Sequence, residues 1–380
     1  DWEFASYYVE HYLGKAPIPN AETAHDISSE ILAQMTVGQV ADTFRATVTA
    51  TEPLIIVAGP AAAADVIPTD AELMAIYATV LTSEIEPRQD TGEIADGLMA
   101  APAPVDIVSR SELFPLDITV LELENGVTVA HLQTDIAAGF VTFGAISAGG
   151  WSIAPDADVT ETQYGPGIVA RSGVAGFDQV ELERILSGTT AGAAPYVDIT
   201  SEGWFGGAAT GDLEILFQLV HLYMTRPRLD PAAFEIFDSE VRPLVENPDL
   251  VPNVAVLGEL VDLRYGGDER FAILPSVEDL NTFDLDAALA AFRARFADAN
   301  DFIFGVAGDF EVDELEDLAA RYLGTLPTLP TEEDWLDVQP DPPAGIVSST
   351  VSAGTGELGG VTFLFAEDIP ADPITGLEAA

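Results

Sequence analysis

Four histidines, His11, His25, His131 and His221, are the chain's whole stock of imidazole, and no cysteine accompanies them. Helix-borne zinc peptidase chemistry needs two imidazoles four residues apart on one face, plus a glutamate to take the proton from metal-bound water. No two of the four stand at that spacing, and neither His-x-x-Glu-His nor His-Glu-x-x-His occurs. Without a thiol, disulfide frameworks and cysteine chemistry are excluded too. His221 shares a helical face with Phe217 and Met224 and reads as a packing residue rather than a ligand. His11, beside Tyr7, Tyr8 and Tyr12, reads as packing, with a peptide-contact face as the alternative.

The remaining chemical candidates are acidic or glycine-rich. Asp309, Glu311, Asp313 and Glu314 could hold a cation, but their spacing lacks a glycine-centred calcium loop. Acids at a helix start are expected from the helix dipole. Gly305-x-x-Gly308 lacks the further glycine of a dinucleotide fingerprint, and no Lys-Ser/Thr follows it. The residues alone thus assign no catalytic, cofactor-binding or metal site.

The elements that would position such groups are legible. Residues 302–307 form an apolar, β-prone run ended by Gly308-Asp309. Leu315, Leu318, Ala319, Tyr322 and Leu323 then share one helical face, stopped by Gly324 and Pro327. An upstream copy of this helix-then-strand unit stands about 250 residues earlier: Phe44-Arg45 matches Phe292-Arg293, and Val57-Ala58-Gly59 matches Val306-Ala307-Gly308. That spacing points to duplicated domains rather than a solenoid.

Helical patterns occupy 3–13, 26–34, 36–49 and 70–82, with a strand at 53–59 and an Ala-rich bridge at 61–64. Residues 84–108 are rich in Pro, Ala, Gly and acid and read as a linker. Strands are predicted at 118–123 and 127–132 around Asn125-Gly126, the strongest short hairpin signal, then at 140–146, 196–200 and 204–210. Helices are predicted at 162–172, 177–187, 211–224, 231–246, 252–264, 277–281 and 284–296. Pro-rich 327–343 forms a second linker, and strands at 347–351 and 361–365 open a domain that the sequence does not complete. The chain reads as an excerpt of a longer protein.

A length of 380 residues allows two to three domains, and 48% apolar content excludes a mainly disordered chain. Fourteen basic against 64 acidic residues give a net charge of -50, with Lys15 the single lysine. Such a chain repels nucleic-acid phosphates and itself, the latter eased by salt. A salty habitat and an exported protein both fit. Every long apolar stretch is interrupted by Asp, Glu, Gly or Pro, so no transmembrane segment is predicted.

Taken in order, several stretches resemble the pitrilysin/insulinase family of zinc metallopeptidases (peptidase M16 type), above all its large bacterial two-half members. They are Leu123-Glu124-Asn125-Gly126-Val127, Gly149-Gly150 with Pro155, Arg171-Ser172-Gly173-Val174, Asp212-Leu213-Glu214 with Pro227, and Tyr322-Leu323-Gly324-Thr325-Leu326-Pro327. The resemblance implies an α+β fold of duplicated sandwich domains, each an antiparallel-rich sheet packed with helices. It implies the end of a second domain at 1–83, a hinge linker at 84–112, a complete third domain at 113–330, a linker at 331–343 and the start of a further domain at 344–380. In the family, two halves close like a clam-shell around an unfolded peptide, and a His-x-x-Glu-His helix in the first domain holds zinc.

At the matching place in the third domain stand Tyr164-Gly165-Pro166-Gly167-Ile168, so neither histidine nor the base is present. Glu240 lies about where a distal glutamate ligand would come, and reads as a lone solvated side chain. Trp204-Phe205-Gly206-Gly207 could pair with substrate backbone if it formed an edge strand, although ordinary sheet packing is the first reading. The implied role is a non-catalytic segment that encloses substrate, with zinc in a preceding N-terminal domain and none in this chain. The implied partners are a peptide or unfolded polypeptide and the catalytic half or a companion subunit, in a periplasmic or extracellular setting. The alternative is a pseudo-peptidase or companion subunit acting as a binding scaffold.

Overall fold

The helical patterns read before residue 84 all form: α1 (Trp2–Gly14), α2 (Ala21–Gln34), α3 (Val37–Thr49) and α4 (Asp70–Thr82). Asn20 caps α2 through Thr23 N, and Thr69 and Glu72 close a reciprocal capping box on α4. The computed structural model describes residues 2–15, 17–49, 54–59, 66–84, 97–330, 333–354 and 359–365. The chain divides into two units, Asp1–Asp90 and Thr91–Ala380. In the first, neither α2 nor α4 buries a residue.

The strand expected at 53–59 does not form over its described part, 54–59. A strand needs a hydrogen-bonding neighbour, and none stands there among the described residues, so Leu54 is left 87% exposed. Hence the upstream copy of the repeated unit keeps its helix, α3, and not its strand. The Ala-rich bridge at 61–64 lies outside the described residues, as do residues 85–96 of the linker read at 84–108.

The second unit is an α+β sandwich around a seven-stranded sheet. Its strands are β1 (Ile107–Leu113), β2 (Ile118–Leu123), β3 (Thr128–Gln133), β4 (Phe140–Ala148), β5 (Gly192–Val197), β6 (Ser201–Ala209) and β7 (Ile303–Gly308), in the order β1-β2-β3-β7-β4-β6-β5. Every pair is antiparallel except β3 with β7. The hairpin turn falls at Asn125-Gly126, with Gly126 at φ 88. The Asn125 amide donates to Leu323 O and Leu326 O and so ties the turn to the far end of the domain.

Alternation sorts the strands into two faces. Leu121, Leu123, Val129, Phe304, Val306, Val141, Phe143 and Trp204 point inward and are buried. The helices are α5 (Val159–Ala170), α6 (Gln179–Leu186), α7 (Leu213–Thr225), α8 (Pro231–Glu246), α9 (Pro252–Tyr265), α10 (Val277–Thr282), α11 (Leu285–Phe296) and α12 (Val312–Leu318); α5, α6, α7, α11 and α12 supply residues to this core, α7 the most. Trp204 is the hub, with Tyr223, Phe292 and Phe296 centred 5.7, 6.4 and 5.2 Å away.

Four expectations are corrected. Residues 107–113, read as linker, form β1, whose alternation is hidden by Ser109, Arg110, Ser111 and Glu112 on an edge strand. The strand placed at 196–200 sits at Gly192–Val197, because pairing with β6 recruits the poor β-formers Gly192 to Pro195. The helix read through 323 ends at Leu318 and continues as a π-helical turn, Ala319–Leu323. No strand forms at 347–351 or 361–365: without a partner strand, Phe363 is left 76% exposed.

Candidate functional site

The sequence Tyr164-Gly165-Pro166-Gly167-Ile168 lies within α5. Gly165 permits close packing on α11, since a β-carbon there would come within 3.3 Å of Ala288 O. Ile168 is fully buried, and the Tyr164 ring lies 5.7 Å from that of Phe237 on α8. Burial, reinforced by the charge of Asp279, pushes the Tyr164 phenol well above its ordinary value, so it stays protonated and cannot serve as an anionic ligand. Glu240, on α8, pairs at 2.6 Å with Arg171, both half exposed. These residues do not fit zinc: Ile168 has no donor atom and Glu240 is committed to a guanidinium. Among the described residues no group of three or more His, Cys, Asp or Glu could hold a metal ion.

The histidines are far apart in role as well as in sequence. His131 Nε2 stands 3.3 Å from Glu316 Oε1 beneath the sheet, and Arg110 pairs with the same carboxylate. His221 Nδ1 lies 2.7 Å from Tyr322 O. Burial lowers both imidazole pKa values. His11 and His25 are exposed on α1 and α2. The acids after β7 are not gathered for a cation: Asp309 Oδ2 accepts from Gly139 N at 2.7 Å, while Glu311 precedes α12 and Asp313 and Glu314 fill its first turn.

Trp204, Phe205, Gly206 and Gly207 lie on β6, which is paired on both sides, with β4 and β5. No backbone edge is free there for a peptide, so the strand packs in the sheet. The neighbouring edge strand, β5, carries Pro195, which lacks an N–H to offer a further strand.

The open face of the sheet is what sequence reasoning missed. Register sets Ala130 beside Gly305, Gly305 beside Gly144, and Gly144 beside Phe205. This row of small residues is the floor of a trough of about 580 Å³. Its walls are Leu132, Ile146, Ile303, Phe205 and Tyr196, of which Ile146, Ile303 and Phe205 are 52%, 54% and 60% exposed. The Tyr196 ring crosses β6 at Gly203, where a β-carbon would come within 2.8 Å of it. No charged side chain lies on this face of β3, β7, β4 or β6, in a chain of net charge -50. Exposed apolar surface of this kind makes the face a candidate binding surface. The signal in the sequence was faint but present: Ile303, Ile146 and Phe205 occupy the alternate positions that a one-sided sheet would make polar.

No protein-family profile matches the chain. Among curated proteins, it is 25% identical over 210 residues to the probable zinc protease PqqL of Haemophilus influenzae, covering 55% of this chain and 22% of that protein. It is 22% identical over 324 residues to a zinc protease PQQL-like protein of Arabidopsis thaliana, covering 85% of this chain and 31% of that protein. The chain thus spans less than a third of either relative's length. Among solved structures, the periplasmic protease PqqL from Escherichia coli superposes with a TM-score of 0.56 at 18% identity, covering 88% of this chain and 37% of that one. The ferredoxin protease FusC, solved as a mutant with Arabidopsis ferredoxin, gives a TM-score of 0.55 at 16% identity, covering 89% and 37%. These superpositions show a shared fold.

Proposed function

We propose that this chain belongs to the pitrilysin/insulinase family of zinc peptidases and is a non-catalytic segment holding substrate polypeptide while another domain cleaves it. The observation that carries this reading is the uncharged apolar trough on the open sheet face, in a chain whose described residues gather no cluster of metal ligands. An unfolded polypeptide exposes apolar side chains in extended backbone. A flat face with walls of Ile146, Ile303 and Phe205 and a floor of Gly144 and Gly305 admits such a chain closely and makes no demand on its sequence. Holding it there raises its effective concentration at a metal supplied elsewhere.

In this reading residues 1–83 close one domain, the hinge lies between residue 84 and β1, the sheet domain from β1 to residue 330 holds the substrate, 331–343 are a linker and 344–380 begin a further domain. Zinc sits in an N-terminal domain of the parent protein, and the two halves form a clam-shell chamber in the periplasm or outside the cell. No helix among the described residues is long and apolar enough to cross a membrane.

The test compares this chain with the full-length product of its gene, by zinc content and by cleavage of an unstructured peptide pool. Zinc and chelator-sensitive cleavage in the full-length protein alone support the proposal. If neither appears there, the parent is a pseudo-peptidase or scaffold. Stoichiometric zinc in this chain would overturn the assignment of α5 as empty.

A further inference from the structure

Glu202 lies on β6 with its side chain sealed from solvent. Its Oε2 accepts from Gly150 N at 2.5 Å, while Oε1 has no hydrogen-bond partner and stands 3.7 Å from Arg295 Nη1 on α11. Arg295 leans the other way: Nη1 is 2.8 Å from Glu333 Oε2, and Nη2 donates to Glu333 Oε1 at 3.1 Å. One nearly buried guanidinium therefore serves two carboxylates, one sealed and one a third exposed.

Glu333 begins a stretch laid across the domain. Leu336 N donates to Ser152 Oγ at 2.9 Å, and Arg264 Nη1 donates to Pro340 O at 2.9 Å. Just upstream, Leu329 N donates to Asp298 Oδ1 at 2.9 Å. We propose that residues 333–340 are a pH-governed strap, which Arg295 holds through Glu333 while Glu202 is neutral and slackens once Glu202 is charged.

The physical ground is which carboxylate needs the guanidinium more. A charged Glu333 without Arg295 is solvated by water, whereas a charged Glu202 is sealed from solvent, with Arg295 as its cationic neighbour among the described residues. In a low-dielectric site the unpaired charge costs far more, so ionised Glu202 wins the competition. Burial is the main cause that pushes this carboxyl up to about 7, opposed by Gly150 N, Arg295 and Ser147 and reinforced by Glu333. Tyr196 on β5 faces the same charge. Asp301, before β7, is pushed up to about 6 by burial, Asp298 and Glu333. Its carboxylate accepts from the Glu333 backbone and adds negative charge beside Arg295. As Glu202 ionises around neutrality, the strap slackens between about pH 6 and 8.

The test is hydrogen exchange of the peptide covering 333–340 in the full chain at pH 6 and pH 8, corrected for intrinsic rates. Loss of an ion pair of this exposure should lower protection about fivefold at pH 8. Glu202→Gln should keep the strap protected at both pH values. Glu333→Gln, a substitution outside the core, should leave it weakly protected at both. Equal protection of the wild type at the two pH values would overturn the proposal, as would a wild-type response in either variant.

Discussion

Replacing Glu202 with glutamine should stabilise the protein above neutral pH, although it removes half of an ion pair. The fold holds this carboxyl at about 7 against an ordinary 4.5, chiefly through burial. Because the folded value is raised, the protonated form is the one the fold favours. Its contribution is complete below pH 4.5, declines as pH rises, and is gone above about 7. The gap corresponds to about 3 kcal/mol as an upper bound, since Arg295 shifting toward the charged group recovers part of it. Glutamine pays no ionisation cost, and its carbonyl can still accept from Gly150 N. Urea unfolding of both proteins from pH 5 to pH 8.5 is the assay. Near pH 5 the two should differ little, and by pH 8.5 the variant should lead by about 2 kcal/mol. A difference that does not change with pH, or a variant that falls behind as pH rises, would refute the reasoning.

Other substitutions separate the trough, the core and the vacant helix. Ile146→Asp should weaken binding of an unfolded, fluorescently labelled polypeptide by about tenfold in anisotropy titrations while shifting the urea midpoint little, since that side chain is half exposed. Trp204→Ala should cost about 3–5 kcal/mol of unfolding free energy, because it empties the site enclosed by Tyr223, Phe292 and Phe296. Ile168→His should destabilise by about 2–4 kcal/mol in denaturant unfolding and recruit no zinc by elemental analysis, as the imidazole would be buried without a second ligand.

Where local signals and tertiary demands agreed, the sequence was readable. Asn125-Gly126 placed a hairpin, and the helices expected at 277–281 and 231–246 begin just after Ser276 and Asp230, which cap them. Reading failed where a partner decides the outcome. Leu54, Ile56 and Phe363 have strand-like chemistry but no neighbouring strand among the described residues. Ser109 to Glu112 have the opposite character and still form β1, because β2 offers an edge to pair with. That Ile168 can offer no ligand follows from its residue type alone. The trough could not be read that way. It depends on Ala130, Gly305 and Gly144 coming into one row across three strands, and register is a property of the sheet rather than of any segment.

On the proposed function, that row is what would let an extremely acidic chain hold a polypeptide without selecting for charge. With a formal charge of -50, most of this surface attracts basic segments and repels acidic ones at low salt. The trough is lined by neutral side chains from adjacent strands, so contact within it depends on apolar area and on how closely the visiting backbone approaches the glycine floor. The two contributions respond to different variables. Salt screens the long-range attraction within about 10 Å at 0.1 M, while apolar burial persists or strengthens. Association with a basic unfolded polypeptide should therefore slow as salt is added, and its dissociation should change little. An acidic polypeptide should bind faster under the same change. If dissociation of both rose steeply with salt, the contact would be ionic, and the neutral trough would not be where the polypeptide is held.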